Sequence, residues 1–235
     1  MQNIVNTTRI AKGARLGKIA TFTGLGFLVL GLIASLTLQA AGLLWVSFVC
    51  LLLGILVSSV GTMNMNRWVR EPRADQALAQ ALKGFDDRYR LYSHLLPAPH
   101  VLLSPTGLVV LTPMGQDGVI RYDGQKFRRD FSATRLLRFM ADEGLGQPFA
   151  EADSQVRAMQ KLLDEHGAGD GVEVQNVVVF YNPRAQLVEV SDPPRPMAVP
   201  KGLKKALRRQ PGGEEIKLSG AQYRELRELF DRLAG

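Results

Sequence analysis

IATFTGLGFLVLGLIASLTLQAAGLLWVSFVCLLLGILVSSVGTMNMN, residues 19–66, holds no Asp, Glu, Lys or Arg in 48 positions. A bilayer core is crossed by about 20 apolar residues of helix. The stretch therefore predicts two transmembrane helices, near Ile19–Leu38 and Leu43–Met63, joined by a tight turn at Gln39-Ala40-Ala41-Gly42. Trp45 and Trp68 are the only tryptophans. As 23 residues of helix span about 34 Å, they are expected to anchor the two faces of one bilayer.

Charge flanks the stretch on both sides. Arg9, Lys12, Arg15 and Lys18 precede it, and Arg67, Arg70 and Arg73 follow it, while the connecting loop is uncharged. The positive-inside bias then puts both ends in the cytoplasm, on an inner membrane crossed twice. A cleaved leader is the competing reading, because a basic segment leads into the first apolar run and Ala40-Ala41 resembles a cleavage site. That run exceeds the usual 7 to 15 residues of a leader, and a second span follows at once.

The remainder of the 235-residue chain is the size of one domain. The division expected is 1–18 as a basic cytoplasmic segment, 19–66 as the hairpin and 67–235 as a cytoplasmic domain. The net charge of +7 is mostly topology: the first 66 residues carry four basic and no acidic residues, leaving 25 basic against 22 acidic in the rest. The charge alone gives no argument for nucleic acid. The single cysteine, Cys50, sits within the second span, which excludes an internal disulfide and a cysteine metal cluster.

After the hairpin, Ala77, Leu78, Ala81, Leu82 and Phe85 recur at helical spacing up to Gly84 and Asp86-Asp87. RYRLYSHLL, residues 88–96, predicts a strand that is interrupted at Pro97-Ala98-Pro99. Residues 101–103 and 108–111 read as buried strands joined by the turn Ser104-Pro105-Thr106-Gly107. Val119–Tyr122 and Gln125–Arg129 read as a hairpin about Asp123-Gly124, with a type I′ turn. Ser132 is a cap for a helix carrying Leu136, Leu137, Phe139 and Met140. A further helix is expected from Glu151 to His166. VVVFY, residues 177–181, reads as a central strand, with Leu187–Val190 as its neighbour. A short helix over Lys201–Arg209 follows, and a last one begins at Ser219, where Gln222 completes a capping box. The predicted class is α/β: a transmembrane helical hairpin followed by a mixed sheet flanked by helices.

The block from Ala74 to about Val190 resembles the nuclease-related domain (NERD) family, allied to the restriction-endonuclease-like PD-(D/E)xK fold. The resemblance rests on ADQALAQAL followed by RYRLYSHLL, on PHVLLSPTGLVVL (similar to the family's IDHvlvgptGvfvIE), and on a helix with Ser154-Gln155 leading to VVVFYNP. It implies a restriction-endonuclease-like sheet. It also implies a Mg²⁺-dependent nuclease site built from an Asp and a Glu-x-Lys, because two carboxylates hold the ion and a lysine helps activate water. Here the Asp position is Pro99, the Glu position Thr112 and the Lys position Met114, and the helical acid is retained as Asp75. No carboxylate lies between Asp87 and Asp117, so no shift of register restores the pair. The expectation is a catalytically inactive domain that acts in binding or assembly, without a cofactor. The alternative is a membrane-tethered Mg²⁺ nuclease with a rearranged site that uses Asp117 or Asp123.

Other candidate residues have simpler roles beside their functional ones. His94 and His100 flank the proline break, but their spacing suits no metal site and both read as structural. Lys201, Lys204, Lys205, Arg208 and Arg209 form a cationic stripe for phosphate of lipid or, more weakly, of nucleic acid. Gly54, Ser58 and Gly61 mark a face on which the first membrane helix can pack closely. Through that hairpin a protein partner or a second copy of the chain is also a candidate, beside membrane lipid.

Overall fold

The computed structural model describes residues 1–37, 44–130, 144–168, 170–209 and 218–234. The expected turn at Gln39–Gly42 and the expected helix after Ser132 lie outside them. Two bodies are distinct. One contains the described residues of 7–73, and the other contains residues 1–6 together with the described residues from Ala74 onward.

The first body is a pair of helices, α1 (Thr7–Thr37) and α2 (Leu44–Trp68), both long and apolar enough to cross a membrane. Their large apolar side chains point outward: Phe22, Leu36, Trp45 and Phe48 are each at least 63% exposed. What the helices bury recurs every seven residues and is small except at one end of each row, with Ile10, Gly17, Gly24 and Gly31 on α1 and Ser47, Gly54, Gly61 and Trp68 on α2. A seven-residue repeat keeps one seam turned to the partner helix. Glycine on that seam lets backbones touch: a Cβ built on Gly61 would stand 2.6 Å from the Thr21 amide nitrogen and 2.9 Å from its Cα. Ser47 Oγ donates to the Gly31 carbonyl across the seam at 2.7 Å. The expected close packing at Gly54, Ser58 and Gly61 is therefore seen, against Leu28, Gly24 and Thr21 respectively. Trp68 differs from its expected role as a bilayer anchor. Its ring lies over Gly13 and is buried, whereas Trp45 is exposed.

The second body is a three-layer α/β/α domain. Its elements are β1 (Gln2–Val5), α3 (Ala74–Ala81), β2 (Arg90–Ser93), β3 (His100–Ser104), β4 (Gly107–Met114), β5 (Gly118–Tyr122), β6 (Phe127–Arg129), α4 (Pro148–Glu165), β7 (Val174–Phe180), β8 (Ala185–Val190), β9 (Met197–Ala198), α5 (Leu203–Arg209) and α6 (Gly220–Ala234). The main sheet has the order β1-β2-β3-β4-β7-β9. The pairs β2–β3 and β3–β4 are antiparallel, and β1–β2, β4–β7 and β7–β9 are parallel.

Strand periodicity sorts the core. Tyr92, Val101, Leu103, Leu108 and Val110 face α4 and α6, meeting Met159, Leu163, Leu226 and Phe230. Leu91, Leu102, Val109, Leu111, Val177 and Val179 face the other way, toward Leu78 and Leu82 at α3 and Leu203 of α5. Because both faces are covered, β4 and β7 read as unbroken apolar runs, as the sequence did.

Within residues 1–18, Gln2–Val5 form the edge strand β1, parallel to β2, and α1 starts at Thr7. Two expectations are corrected. β8 is not the neighbour of β7. It pairs with β5 in a second sheet, of order β6-β5-β8. The β5–β6 connection is a four-residue loop, since Tyr122 pairs with Phe127. Only Gly124 in it has positive φ, at 91°, whereas a type I′ turn needs two such residues. Asp123 explains the longer loop, its Oδ1 accepting from the amides of Gln125 and Lys126 at 3.0 and 2.8 Å. The capping box of α6 is present as expected, with Gln222 N to Ser219 Oγ at 3.2 Å and Ser219 N to Gln222 Oε1 at 2.9 Å.

Candidate functional site

The β3–β4 hairpin carries the positions that the resemblance singles out. Its register pairs Val101 with Val110, so extending it by two residues brings Pro99 beside Thr112. Thr112 and Met114 have the parity of Val110 and face α4. Both are buried, Met114 among Ile120, Ala152, Val178 and Phe180. Thr112 lies at the centre of a neutral hydrogen-bond chain. Its hydroxyl donates to Gln155 Oε1 of α4 at 2.9 Å and accepts from Asn176 Nδ2 of β7 at 2.8 Å. Gln155 in turn donates to Glu151 at 3.1 Å.

A hydroxyl so engaged has spent its single proton within the protein. This end of the face is filled by the amides of Gln155 and Asn176, the Thr112 hydroxyl and apolar side chains, with the Glu151 carboxylate bonded to Gln155. Asp75 is also buried, but on α3, the helix that covers the opposite face. The structure thus brings Pro99, Thr112 and Met114 to one end of one face and leaves Asp75 on a helix of the other.

The remaining titratable candidates have structural work. His100 Nδ1 lies 3.0 Å from Ser93 Oγ, and its ring meets that of His94 edge to face at 4.7 Å. His94 has φ of 63° and donates its amide to the Pro99 carbonyl at 2.7 Å, closing the loop between β2 and β3. Asp117 is held by two arginines: it is ion-paired with Arg129, whose side chain is 3% exposed, and lies 3.2 Å from Arg184. Asp123 caps its loop and pairs with Arg128 at 3.2 Å. The two amides it accepts from hold its carboxyl below the usual range.

The cationic stripe is narrower than expected. Lys204 turns inward, donating to the Lys83 carbonyl at 2.5 Å and standing 5.3 Å from the Phe85 ring centre. Lys201, Lys205 and Arg208 remain exposed, while the Arg209 side chain lies outside what is described.

Sequence reading missed a cavity of about 420 Å³ at the opposite end of the hairpin, between the β3–β4 turn and α5. Phe85 and Tyr89 flank it, stacked with ring centres 4.3 Å apart. Its other lining includes Leu102, Val109, Ser104 and Arg208. Only the spacing of Phe85 and Tyr89 hinted at it, and that spacing equally suits a core. A second cavity, of about 350 Å³, is an open groove between His166 and the charged residues of α6.

No family model, curated protein or solved structure matches this chain.

Proposed function

We propose that this chain is a membrane-anchored, nuclease-related domain that has lost its metal site and acts by binding at the inner face of a cell inner membrane. The observation that carries the reading is Thr112. Where the family's nuclease places a metal-binding carboxylate, a buried threonine is tied into the neutral chain Asn176–Thr112–Gln155. Two carboxylates and a lysine are what a hard divalent cation and its water require, and Pro99, Thr112 and Met114 offer none of them. The five segments that carry the resemblance fold as α3, β2, the β3–β4 hairpin, α4 and β7, in which β4 and β7 are parallel neighbours in one mixed sheet. This supports a restriction-endonuclease-like core.

The anchor follows from α1 and α2 and their outward apolar surface. The chain leaves the domain after Asn6 and returns to it at Ala74. Both ends of the hairpin are therefore tied to one body, which agrees with the basic residues that flank both. A rearranged Mg²⁺ site is disfavoured because Asp117 and Asp123 are each committed to arginines or backbone amides.

The test is incubation of the full chain in micelles with Mg²⁺ or Mn²⁺ and single- or double-stranded DNA and RNA. The expected result is no cleavage above the level of an Asp75→Ala variant. Metal-dependent cleavage that Asp75→Ala abolishes would overturn the reading.

A further inference from the structure

The cavity between the β3–β4 turn and α5 combines features that point to one class of ligand, and the inference rests on the reading of the domain as a binding module. Its floor is apolar, made by Leu102 and Val109 of the sheet and Leu207 of α5. One wall is the Phe85–Tyr89 stack, whose planes lie within 10° of each other. Tyr89 presents a hydroxyl that makes no hydrogen bond among the described residues.

At the rim stands Arg208, exposed and without an ion pair among the described residues. Asp86, which also lines the cavity, is occupied by Arg88 at 2.6 Å. Lys205 and Lys201, which do not line the cavity, are exposed three and seven residues before Arg208. At the β3–β4 turn Ser104 Oγ donates to the Gly107 carbonyl at 3.0 Å and lies 2.9 Å from the Thr106 hydroxyl, whose oxygen remains as an acceptor beside the cavity.

An aromatic wall holds flat rings, an unpaired guanidinium takes phosphate or carboxylate oxygens in a fork, and hydroxyls orient a polar edge. A volume of about 420 Å³ lies in the range of small-ligand sites.

We propose that this cavity binds a planar heteroaromatic ring that carries an anionic group, of the size of a nucleoside monophosphate. The ring lies along Tyr89 over Leu102 and Val109, and the anion meets Arg208. The site is separate from the Pro99–Thr112 end of the sheet, so it requires no nuclease chemistry.

The test is calorimetric titration of the full chain, in nanodiscs of zwitterionic lipid, with AMP, adenosine and inorganic phosphate. AMP is expected to bind at least tenfold more tightly than adenosine or phosphate. Arg208→Gln is expected to weaken AMP at least tenfold while leaving adenosine unchanged, and Tyr89→Leu to weaken both AMP and adenosine. Circular dichroism of each variant confirms that it is folded. Absence of AMP binding, equal affinity for phosphate alone, or indifference to both substitutions in folded variants would overturn the proposal. Each of those results leaves the cleavage assay unaffected, so failure of this site is distinguishable from failure of the inactive-domain reading.

Discussion

Gly24 and Gly26 lie two residues apart on α1 and are expected to respond differently to the same substitution. A Cβ on Gly24 would stand 2.3 Å from Ser58 Oγ, 2.6 Å from the Ser58 amide nitrogen and 2.9 Å from its Cα, while Gly26 has nothing within 4 Å. Ordinary contact begins near 3.4 Å. Two of the three clashing atoms are backbone, so no rotamer of Ser58 removes the conflict. Gly24→Val therefore forces the helices apart by on the order of 1 Å, and a gap of that size forfeits a quarter to a half of each van der Waals contact it opens. The expected cost is about 1–3 kcal/mol, or roughly five- to a hundredfold in the closed-to-open ratio of the hairpin. Gly26→Val is expected to be neutral. Because the Trp68 ring rests on Gly13, Trp68 emission reports helix separation once Trp45 is replaced by Phe. An SDS titration of the chain in mixed micelles should shift to lower SDS for Gly24→Val alone. Equal midpoints for the two valine variants would refute the seam.

Three further outcomes follow from the domain. Thr112→Val leaves Gln155 and Asn176 without their shared hydroxyl and should destabilise the domain by about 1–3 kcal/mol in urea unfolding, with Thr112→Ser closer to the parent. Asp231 accepts from Arg90 at 2.6 and 2.7 Å and from the Tyr92 hydroxyl at 2.8 Å, tying α6 to β2. Asp231→Ala should cost about 1.5–3 kcal/mol by the same measurement, since it strands a largely buried guanidinium. Burial chiefly, with Asp231 adding to it, pushes the Tyr92 hydroxyl above its ordinary value of 10. The unfolded chain then releases this proton first, so the stabilisation is complete below pH 10 and declines as pH rises above it. Tyr92→Phe should flatten that decline in a series of unfolding midpoints from pH 9 to 11.

The parts of the fold legible in the sequence were those with a continuous pattern. The uncharged stretch, the apolar runs of β3, β4 and β7, and the Ser219–Gln222 box each signal themselves within a few residues. β1 did not, because QNIV is four residues long and precedes a basic helix, and its identity as a strand depends on β2, some 88 positions later. β8 followed β7 closely in sequence and was assigned to it, but its pairing with β5 is a choice between sheets that adjacency does not encode. The absence of carboxylates at residues 99, 112 and 114 was readable. What replaces them was not, since Thr112, Gln155 and Asn176 meet only through the crossover of α4. Lys204 shows the same limit: its spacing put it on a charged stripe, and the carbonyl of Lys83 drew it off.

The proposed topology is a hairpin whose two ends enter one domain on one side of a membrane. In a Cys50→Ser background, single cysteines at Trp45, near the start of α2, and at Lys201, on the domain, separate the two faces. An impermeant thiol reagent applied to intact spheroplasts is expected to label Trp45→Cys at once and Lys201→Cys only after permeabilisation. Labelling of Lys201→Cys in intact spheroplasts, or recovery of the chain in the soluble fraction, would contradict the account.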